Sequence, residues 1–449
     1  MKKLLYYCAV ALVMAGVSGC SSNEPEDMLV DNGNGVQNEA DNNGSGAQDN
    51  KDKKRNGWPG SANDSVSYQI VLTDAQKETV KQANSFAFNY LKTLSARKQT
   101  EGFVASPLST AVVLGMLSEG AQGKTRADIV SVLLGGGSSD GLNDLFEELT
   151  TGLPVSDRAV SFRQANCLVG DATLSLNPAY TDTLKKYYGA ESLSMDFARQ
   201  QTVDYINKWC YDNTEGLIPS IVDKLSPAMR LVLMNAVYFK STWSDKFDAK
   251  ESKLGTFYKD ATTQREVTFM HRYDMMYYSE GAGFTMVKLP YGATGKWNAY
   301  IILPSDGKTP DTVLARLTNE SWSTMTTTMV PHLVDLKLPK LKIESDFELN
   351  EALSSLGASV IFDAAQADFS PMTTNQESLF VSLIKQKASI EFTEEGTAGA
   401  ALTIDFMVTS NGSDNDENVT VYPFHANRPF IYIIQEENTQ AIVFAGVYR

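Results

Sequence analysis

Residues 394–403 read Glu-Glu-Gly-Thr-Ala-Gly-Ala-Ala-Leu-Thr, a run dominated by small side chains. Because residues two apart share one face of an extended strand, Thr397, Gly399, Ala401 and Thr403 would all point the same way. These four residues are small and uncharged, and the run has no proline, which would remove a ladder donor. Such a segment suits both an exposed loop and a buried strand, although a plain Ala/Gly-rich surface loop has the same composition.

The chain around this run is predicted to be one large α+β domain over residues 67–449. Hydrophobic residues make up 43% of the sequence and charged residues 21%, which is typical of a soluble globular protein with a real core. Thr73 and Gln76 form a capping box that predicts a first helix, and residues 103–134 indicate a second helical region interrupted at Gly120. Strand patterns come later, as an alternation at 334–338 and as apolar runs at 431–434 and 441–447.

The N-terminus is typical of an exported lipoprotein. Lys2 and Lys3 precede an apolar run that is too short to span a bilayer. The run ends in Val-Ser-Gly-Cys20, which resembles a bacterial lipobox and implies cleavage before Cys20 and acylation of its thiol. An ordinary signal peptide with a chance cysteine is the alternative.

We therefore predict a signal peptide over 1–19 and a lipid-anchored linker over 20–66. The linker is rich in Asn, Asp, Gly and Ser and has too little apolar surface to offset chain entropy, so we expect it to be flexible. The expected location is the bacterial cell envelope at the outer membrane. The acidic residues behind Cys20 leave surface exposure open as an alternative.

The charge of the chain argues against two kinds of partner. The formal net charge is −15, and it becomes −17 when Lys2 and Lys3 leave with the signal peptide. An acidic surface repels nucleic acid and anionic membrane, so we expect neither as an electrostatic partner, and membrane contact through the lipid alone.

Residues with catalytic or metal-binding chemistry are few. The three histidines, His271, His332 and His425, show no metal-ligand spacing, and the folded part has no Gly-x-Ser-x-Gly motif. Residues 120–125 resemble a phosphate loop, but Ser118 replaces its first glycine and the preceding segment is helical. We therefore expect no enzyme activity, no cofactor and no metal.

Two cysteines lie in apolar segments of the predicted domain. Cys167 and Cys210 are expected to be small buried hydrophobic residues. A disulfide between them stays open as an alternative, because sequence alone does not place them within reach.

Six sequence blocks, in order, resemble the serpin family, and they cover nearly the whole predicted domain. Each block alone is moderate support, whereas six in the right order are strong. The blocks are Ala83–Phe88 with Leu91 and Leu94; Ser106–Ser109 with Leu117, Gly120–Gly123 and Thr125; Asn235–Lys240 with Trp243 and Phe247; Leu338–Lys340 through Phe347; Leu356–Gly357 with Phe362 and Ala367–Ser370; and Phe424–Phe430.

The resemblance implies a serpin fold, in which several helices surround a large central sheet, accompanied by two smaller sheets. An exposed reactive-centre loop is expected at about 394–423. The first part of this loop looks like the hinge of inhibitory members, which enters the central sheet as a new strand. The hinge residues are Glu394, Glu395, Gly396, Thr397, Ala398, Gly399, Ala400, Ala401, Leu402 and Thr403.

The resemblance also implies a mechanism, which is suicide inhibition of a target protease by a monomer. The protease cleaves the loop and becomes acylated, and insertion of the freed segment then distorts its active site before deacylation. Family spacing from Glu394 predicts cleavage between Ser410 and Asn411. Because the following stretch is longer than usual, Thr409, Val408 and Met407 stay open as alternatives.

The loop composition indicates the kind of target. No Arg or Lys lies between Thr397 and His425, which argues against trypsin-like proteases. Small and medium residues suit elastase-like or subtilisin-like serine proteases, with papain-like cysteine proteases as a further alternative.

Two positions depart from the family pattern. Gln386 stands where many relatives have a histidine, near the shutter formed by Ser106, Ser109 and Asn235. An amide can still donate and accept, so we expect stability to survive while any pH response of that position is lost. Asp405 would carry a carboxylate towards the inner side of the sheet on full insertion, which we expect either to slow late insertion or to keep that end solvated. Trp243 is expected to be core packing at the top of the sheet.

Two other functions stay open as alternatives. The first is a non-inhibitory serpin that acts as a surface binding protein, whose usual mark is a bulky, charged or proline-containing hinge, and residues 397–403 have none of these features. The second is a surface hydrolase or glycan binder, which would need a catalytic motif or an aromatic platform that the sequence does not show.

Overall fold

The structure is a computed structural model that describes residues 68–397 and 420–449. The signal peptide, the linker and the lipidation site Cys20 that the sequence predicts lie outside the described residues, as do residues 398–419. Among the described residues, no helix is long and apolar enough to cross a membrane.

The helices follow local sequence signals. Thr73 caps α1 through the predicted box, since its hydroxyl accepts from the Gln76 amide while the Gln76 side chain accepts from the Thr73 amide. The helices are α1 Asp74–Arg97, α2 Pro107–Glu119, α3 Gly123–Leu134, α4 Leu142–Gly152, α5 Pro178–Tyr188, α6 Gln200–Asn213, α7 Pro310–Leu314, α8 Asn319–Thr327 and α9 Asn350–Leu353.

The strands make up two hydrogen-bonded sheets. In chain order they are β1 Phe103–Ala105, β2 Val160–Asp171, β3 Glu191–Met195, β4 Leu231–Thr242, β5 Lys253–Tyr258, β6 Gln264–Gly281, β7 Phe284–Tyr291, β8 Trp297–Pro304, β9 Val330–Pro339, β10 Leu341–Glu348, β11 Leu383–Phe392, β12 Gly396–Thr397, β13 Val421–His425, β14 Phe430–Glu436 and β15 Ile442–Tyr448.

One expectation about this part of the chain is wrong. The second helical region was predicted to begin at Phe103, but Phe103–Ala105 is strand β1, and the helices begin at Pro107 and Gly123. Residues 103–105 pair with β15, more than 300 positions later, so a long-range contact overrides the local pattern.

The central sheet has the strand order β10–β11–β4–β2–β3, with β12 added to β4. Strands β4 and β11 are parallel neighbours in its middle, whereas β4 and β2 are antiparallel. The other strands follow the order β1–β15–β14–β8–β7–β6–β9–β13, with β5 on β6. The two smaller sheets that were expected are continuous here, because the long strand β6 belongs to both. It pairs with β9 over most of its length and with β7 near its end.

The central sheet is buried on both faces, so β4 is apolar almost throughout. On one face, Leu233 and Phe239 belong to the main core with the second sheet. On the other face, Val232 and Met234 pack beneath α6, next to Ile206. A strand covered on both sides is expected to be a nearly continuous apolar run, as residues 231–239 are apart from Asn235.

Candidate functional site

The candidate site is the end of the central sheet where β4 and β11 separate. The two strands pair in parallel from Val232 with Leu383 to Tyr238 with Ser389. The chain then turns back after β11, and β12 pairs antiparallel with Ser241 and Thr242 of β4. Because β2 already occupies the other edge of β4 up to Ser241, β12 takes the edge that faces β11. The first hinge residues are therefore docked at the top of the gap between the two middle strands.

Both hinge glutamates are held by cations and by the backbone of the segment after β4. The Glu394 carboxylate pairs with Lys340 at 2.9 Å and accepts from the Ser252 hydroxyl at 2.7 Å. The Glu395 carboxylate pairs with Lys246 at 2.6 Å, and its carbonyl accepts from the Trp243 amide at 2.9 Å. Burial alone would raise the pKa of Glu394, but the hydrogen bonds from Lys340 and Ser252 outweigh it and lower the pKa. The start of the hinge is thus fixed by two ion pairs and by backbone hydrogen bonds.

Gly396 makes this turn possible. Its φ is 143°, a conformation that side chains rarely adopt, and a Cβ there would lie 2.1 Å from the Ser241 carbonyl oxygen. The Gly396 amide donates to the Thr393 carbonyl at 3.1 Å, and the Thr393 amide donates to the Gly396 carbonyl at 2.7 Å. Glycine is therefore required for the chain to approach β4 this closely.

The side chain of Thr397 is fully buried on the underside of the central sheet. Its hydroxyl hydrogen-bonds to the Tyr291 hydroxyl at 2.8 Å, and its exposed fraction is 0%. The Tyr291 ring stacks on Trp243 with ring centroids 4.2 Å apart. Burial raises the pKa of Tyr291 well above its ordinary value, so this phenol is a neutral hydrogen-bonding partner. The site receives a small hydroxylated side chain in an otherwise aromatic environment.

Trp243 is core packing, in keeping with the expectation for it. It is 2% exposed, its ring meets Phe392 and Phe247 edge-on, and its indole N–H donates to the Thr393 carbonyl at 2.9 Å. The indole therefore fixes the turn between β11 and β12, and no face of it is free for a ligand.

The four predicted shutter residues, Ser106, Ser109, Asn235 and Gln386, come together below the site. Asn235 of β4 and Gln386 of β11 lie directly opposite each other, and Gln386 Nε2 donates to Asn235 Oδ1 at 3.2 Å. The Gln386 amide also accepts from the Ser106 backbone at 3.0 Å, and Asn235 Nδ2 donates to the Ser109 hydroxyl. These contacts cross the pair of strands that an inserted strand would separate.

Gln386 is fully satisfied although it is completely buried. Its Nε2 donates to the Ser106 carbonyl and to the Thr110 hydroxyl, each at 3.0 Å. The amide therefore both donates and accepts here, as its chemistry allows. The Tyr90 hydroxyl also donates to Gln386 Oε1 at 3.4 Å, and burial raises the pKa of Tyr90 above its ordinary value, so this partner is neutral.

Several residues of the site escaped the sequence analysis. Asn166 accepts from Asn235 at 2.8 Å, and a signal for it existed, since it is a polar residue within an apolar strand. No comparable signal marked the contacts that Lys340, Lys246 and Tyr291 make with the hinge. Each of these residues is separated from its hinge partner by 54 residues or more in sequence. The remaining predicted positions, Ala398–Thr403, Asp405 and Met407–Asn411, lie outside the described residues.

Metal-binding and thiol chemistry have little support in the described residues. No cluster of His, Cys, Asp and Glu able to hold a metal occurs in residues 68–397 and 420–449. Cys167 and Cys210 are free and buried. Burial raises the pKa of the Cys210 thiol to about 12 and that of Cys167 still further. The expectation that they are small buried hydrophobic residues is confirmed.

The chain belongs to the serpin family. The family model described as Serpin (serine protease inhibitor) matches residues 81–449. At the general level, the function of the family is serine protease inhibition rather than catalysis.

Individual relatives agree over most of the chain. It is 31% identical over 382 residues to Serpin B6 of Macaca fascicularis, a match that covers 82% of this chain and 98% of the relative. It is 32% identical over 390 residues to Serpin-ZXA of Oryza sativa subsp. japonica, covering 82% and 96%. Among solved structures, it is similar to the thermophilic serpin tengpin in its native state, with a TM-score of 0.75 at 25% identity, covering 85% of this chain and 96% of that one.

Proposed function

We propose that this protein inhibits serine-type endopeptidases by inserting its cleaved loop into its own central sheet and trapping the acylated protease. The single observation that carries the proposal is the position of β12, which already pairs with β4 on the edge that faces β11. Continuing this strand needs no new topology. It needs only that β4 and β11 part.

The register of β12 fixes where each further residue would go. Thr397 lies opposite Ser241, so in an antiparallel continuation residue 401 would meet Val237 and residue 403 would meet Asn235. Ser241, Val237 and Asn235 share the buried underside of β4. The small hinge side chains on that face would therefore fit without displacing the core.

Insertion replaces the parallel pairing of β4 with β11 by two antiparallel pairings, one on each side of the new strand. Residues Leu383–Ser389 and Val232–Tyr238 would lose their parallel partners. Because β12 runs antiparallel to β4, and β4 runs parallel to β11, the new strand would be antiparallel to both neighbours. Antiparallel ladders are slightly more stable per residue, and a central strand satisfies backbone groups on both of its edges. The inserted state is thus favoured, and the native state is kinetically trapped.

The finer features of the function rest on sequence. We propose cleavage at Ser410–Asn411, with Thr409, Val408 and Met407 as alternative sites, by an elastase-like or subtilisin-like protease. We also propose export and lipid anchoring through Cys20, with the inhibitor held at the cell envelope by the linker over 20–66. The support for both is the residue pattern, namely a loop without Arg or Lys and a lipobox-like sequence before Cys20.

The test uses the chain with Cys20→Ser, which removes the acylation site. It is incubated with elastase-like and subtilisin-like proteases and examined by denaturing gel and intact mass. A covalent complex, together with a released C-terminal peptide whose mass fixes the bond, is the expected result. Clean cleavage of the loop without a complex would contradict the proposal and favour a non-inhibitory binding protein.

A further inference from the structure

A buried carboxylate lies close to the candidate site, in the turn that leads into β2. Asp157 is 2% exposed. Its carbonyl accepts from the Val160 amide at 3.2 Å, and its Oδ1 accepts from the Ala159 amide at 2.8 Å. An aspartate at the start of a turn commonly bonds to the backbone two residues on. These local bonds do not explain why the carboxylate is buried.

The remaining bonds of this carboxylate hold the connection between β7 and β8. Asp157 Oδ2 accepts from the Thr294 amide at 2.9 Å and from the Thr294 hydroxyl at 2.5 Å. Its Oδ1 also accepts from the Ala293 amide at 3.4 Å. Hydrogen bonds to a carboxylate are roughly twice as strong as those between neutral groups. Asp157 therefore ties the start of β2 to a segment that lies 136 residues further along the chain.

The connection between β7 and β8 forms one wall of the site that receives Thr397. Tyr291, whose hydroxyl bonds to Thr397, is the last residue of β7 and is followed by Gly292. The Gly292 amide donates to the Thr242 carbonyl at the end of β4, at 2.9 Å. Its φ is 76°, and a Cβ there would lie 2.6 Å from Asp157 Oδ2. Asp157 thus packs directly against the residue that joins Tyr291 to the end of β4.

The same turn also holds the second wall of this site. Ser241 lies opposite Thr397 in the pairing of β4 with β12. The Ser241 hydroxyl donates to the Ala159 carbonyl at 3.2 Å, and the Ala159 amide is the one that Asp157 binds. Asp157 therefore supports both Tyr291 and Ser241, the two residues between which the Thr397 side chain is held.

We propose that Asp157 is a positioning residue for loop insertion, because its carboxylate fixes the β7–β8 connection and the end of β4 so that Thr397 can dock. The proposal rests on the proposed function, which it deepens by assigning the docked position of the hinge to a group outside the loop. A site that is rigid in advance lowers the cost of ordering the segment that enters it. Because insertion competes with deacylation, loosening this site would let hydrolysis of the acylated protease win.

The chain offers a matched carboxylate for comparison, at the turn between β14 and β15. Glu436 is 0% exposed. It accepts from the Asn438 amide at 3.1 Å, from the Thr439 amide at 2.8 Å and from the Thr439 hydroxyl at 2.8 Å. These bonds all stay within the turn. Replacing Glu436 therefore removes a buried carboxylate from a turn without touching the walls of the Thr397 site.

The test compares Asp157→Asn with Glu436→Gln in the full chain carrying Cys20→Ser, using the protease that forms the covalent complex. The measured quantity is the ratio of trapped complex to cleaved inhibitor on a denaturing gel. We expect Asp157→Asn to lower this ratio about tenfold, since an amide cannot accept from all of the same donors. Glu436→Gln should leave the ratio within about twofold of its original value, even where it lowers the thermal midpoint.

A double variant separates positioning from general loss of stability. If Asp157 acts through the docking of Thr397, the effect of Asp157→Asn should shrink at least about threefold in a Thr397→Val background. Hydrogen exchange of the Thr397 amide, measured without protease, should accelerate in Asp157→Asn and stay unchanged in Glu436→Gln.

A milder change keeps the test valid if Asp157→Asn does not fold. Thr294→Val removes one donor to Asp157 from an exposed position and retains the Thr294 amide. We expect a smaller fall in the trapping ratio and a smaller acceleration of exchange at Thr397, both in the same direction as for Asp157→Asn.

The opposite outcomes overturn the inference in distinguishable ways. An unchanged trapping ratio in the Asp157 and Thr294 variants, or an equal loss in Glu436→Gln, shows that Asp157 only stabilises its turn. Full additivity with Thr397→Val leads to the same conclusion. Absence of a covalent complex with the unsubstituted loop and turns overturns the proposed function itself, and hydrogen exchange at Thr397 still decides whether Asp157 holds the hinge in its docked position.

Discussion

Replacing Thr397 with arginine should abolish trapping while leaving the native fold intact. Thr397 is fully buried and bonds to Tyr291 within an aromatic environment, with no carboxylate among its hydrogen-bonding partners. An unpaired charge buried in this way costs about 3–5 kcal/mol. Since 1.4 kcal/mol corresponds to a factor of ten, docking of residue 397 should become less favourable by a factor of about 10² to 4 × 10³.

The consequence for function is a change in the fate of the acylated protease. Insertion must precede deacylation, so slowing the first inserted residue allows the protease to hydrolyse the acyl bond and leave. We expect the Thr397→Arg variant to be cleaved as an ordinary substrate, with a stoichiometry of inhibition far above that of the wild type. Stopped reactions on a denaturing gel would show cleaved inhibitor and little or no complex.

Two smaller changes at the same position test the reasoning quantitatively. Thr397→Ser retains the hydroxyl, so its stoichiometry should stay within about twofold of the wild type. Thr397→Val has a similar shape but leaves the buried Tyr291 hydroxyl without this partner, which costs about 1–3 kcal/mol, and should give an intermediate result. If Thr397→Arg traps protease as well as the wild type does, docking of residue 397 in the sheet is not needed for insertion and the proposed function is wrong.

Three further predictions concern insertion, the hinge and acid stability. If β12 continues in its present register, residue 405 would face the fully buried Leu233. Asp405→Ala should therefore raise the thermal midpoint of the cleaved form and speed trapping. A variant that traps no faster counts against burial of Asp405 on insertion. Gly396→Ala should dislodge β12, because its Cβ would meet the Ser241 carbonyl, and hydrogen exchange of the Thr397 amide should then accelerate while the rest of the central sheet stays protected. Burial alone would raise the pKa of Asp335, but hydrogen bonds from its two histidine partners lower it below its ordinary 3.8. The stabilisation that ionised Asp335 gives is therefore complete above pH 3.8 and is lost as the pH falls towards the lowered pKa. Asp335→Asn should flatten the acid limb of the unfolding free energy measured against pH, and an unchanged limb would contradict this assignment.

Local patterns predicted those elements whose boundaries are set by nearby residues. The capping box at Thr73 and Gln76 marked the start of α1 at Asp74, because both hydrogen bonds are formed within four residues. The alternation at Val334, Leu336 and Leu338 marked β9, where all three side chains are fully buried. At Phe103 the same approach failed, since a three-residue edge strand is defined by its distant partner rather than by its own sequence.

The candidate site was only partly predictable for the same physical reason. The hinge composition indicated which residues could be buried in a sheet, and the shutter residues followed from the family resemblance. The docked position of β12, however, depends on Tyr291, 106 residues before Thr397, and on Trp243, 150 residues before Thr393. Contacts of this kind leave no periodic signal, so the sequence did not indicate that the first hinge residues are already in the sheet.

In the proposed mechanism, the barrier that keeps the native state trapped lies further along the gap between β4 and β11, past the end of β12, rather than at the hinge. Opening the gap breaks the Gln386–Asn235 hydrogen bond on the underside of the sheet. On the upper face, Lys387 of β11 donates to the Ser220 carbonyl at 2.9 Å, in the segment after α6, and α6 itself covers β4. An advancing strand must therefore break the Gln386–Asn235 contact on the underside of the sheet and displace α6 on the upper face. At the hinge, by contrast, β4 and β11 have already separated. In the proposed mechanism, this division would explain how one chain can hold a strained native state for long periods and still insert rapidly once cleavage frees the loop.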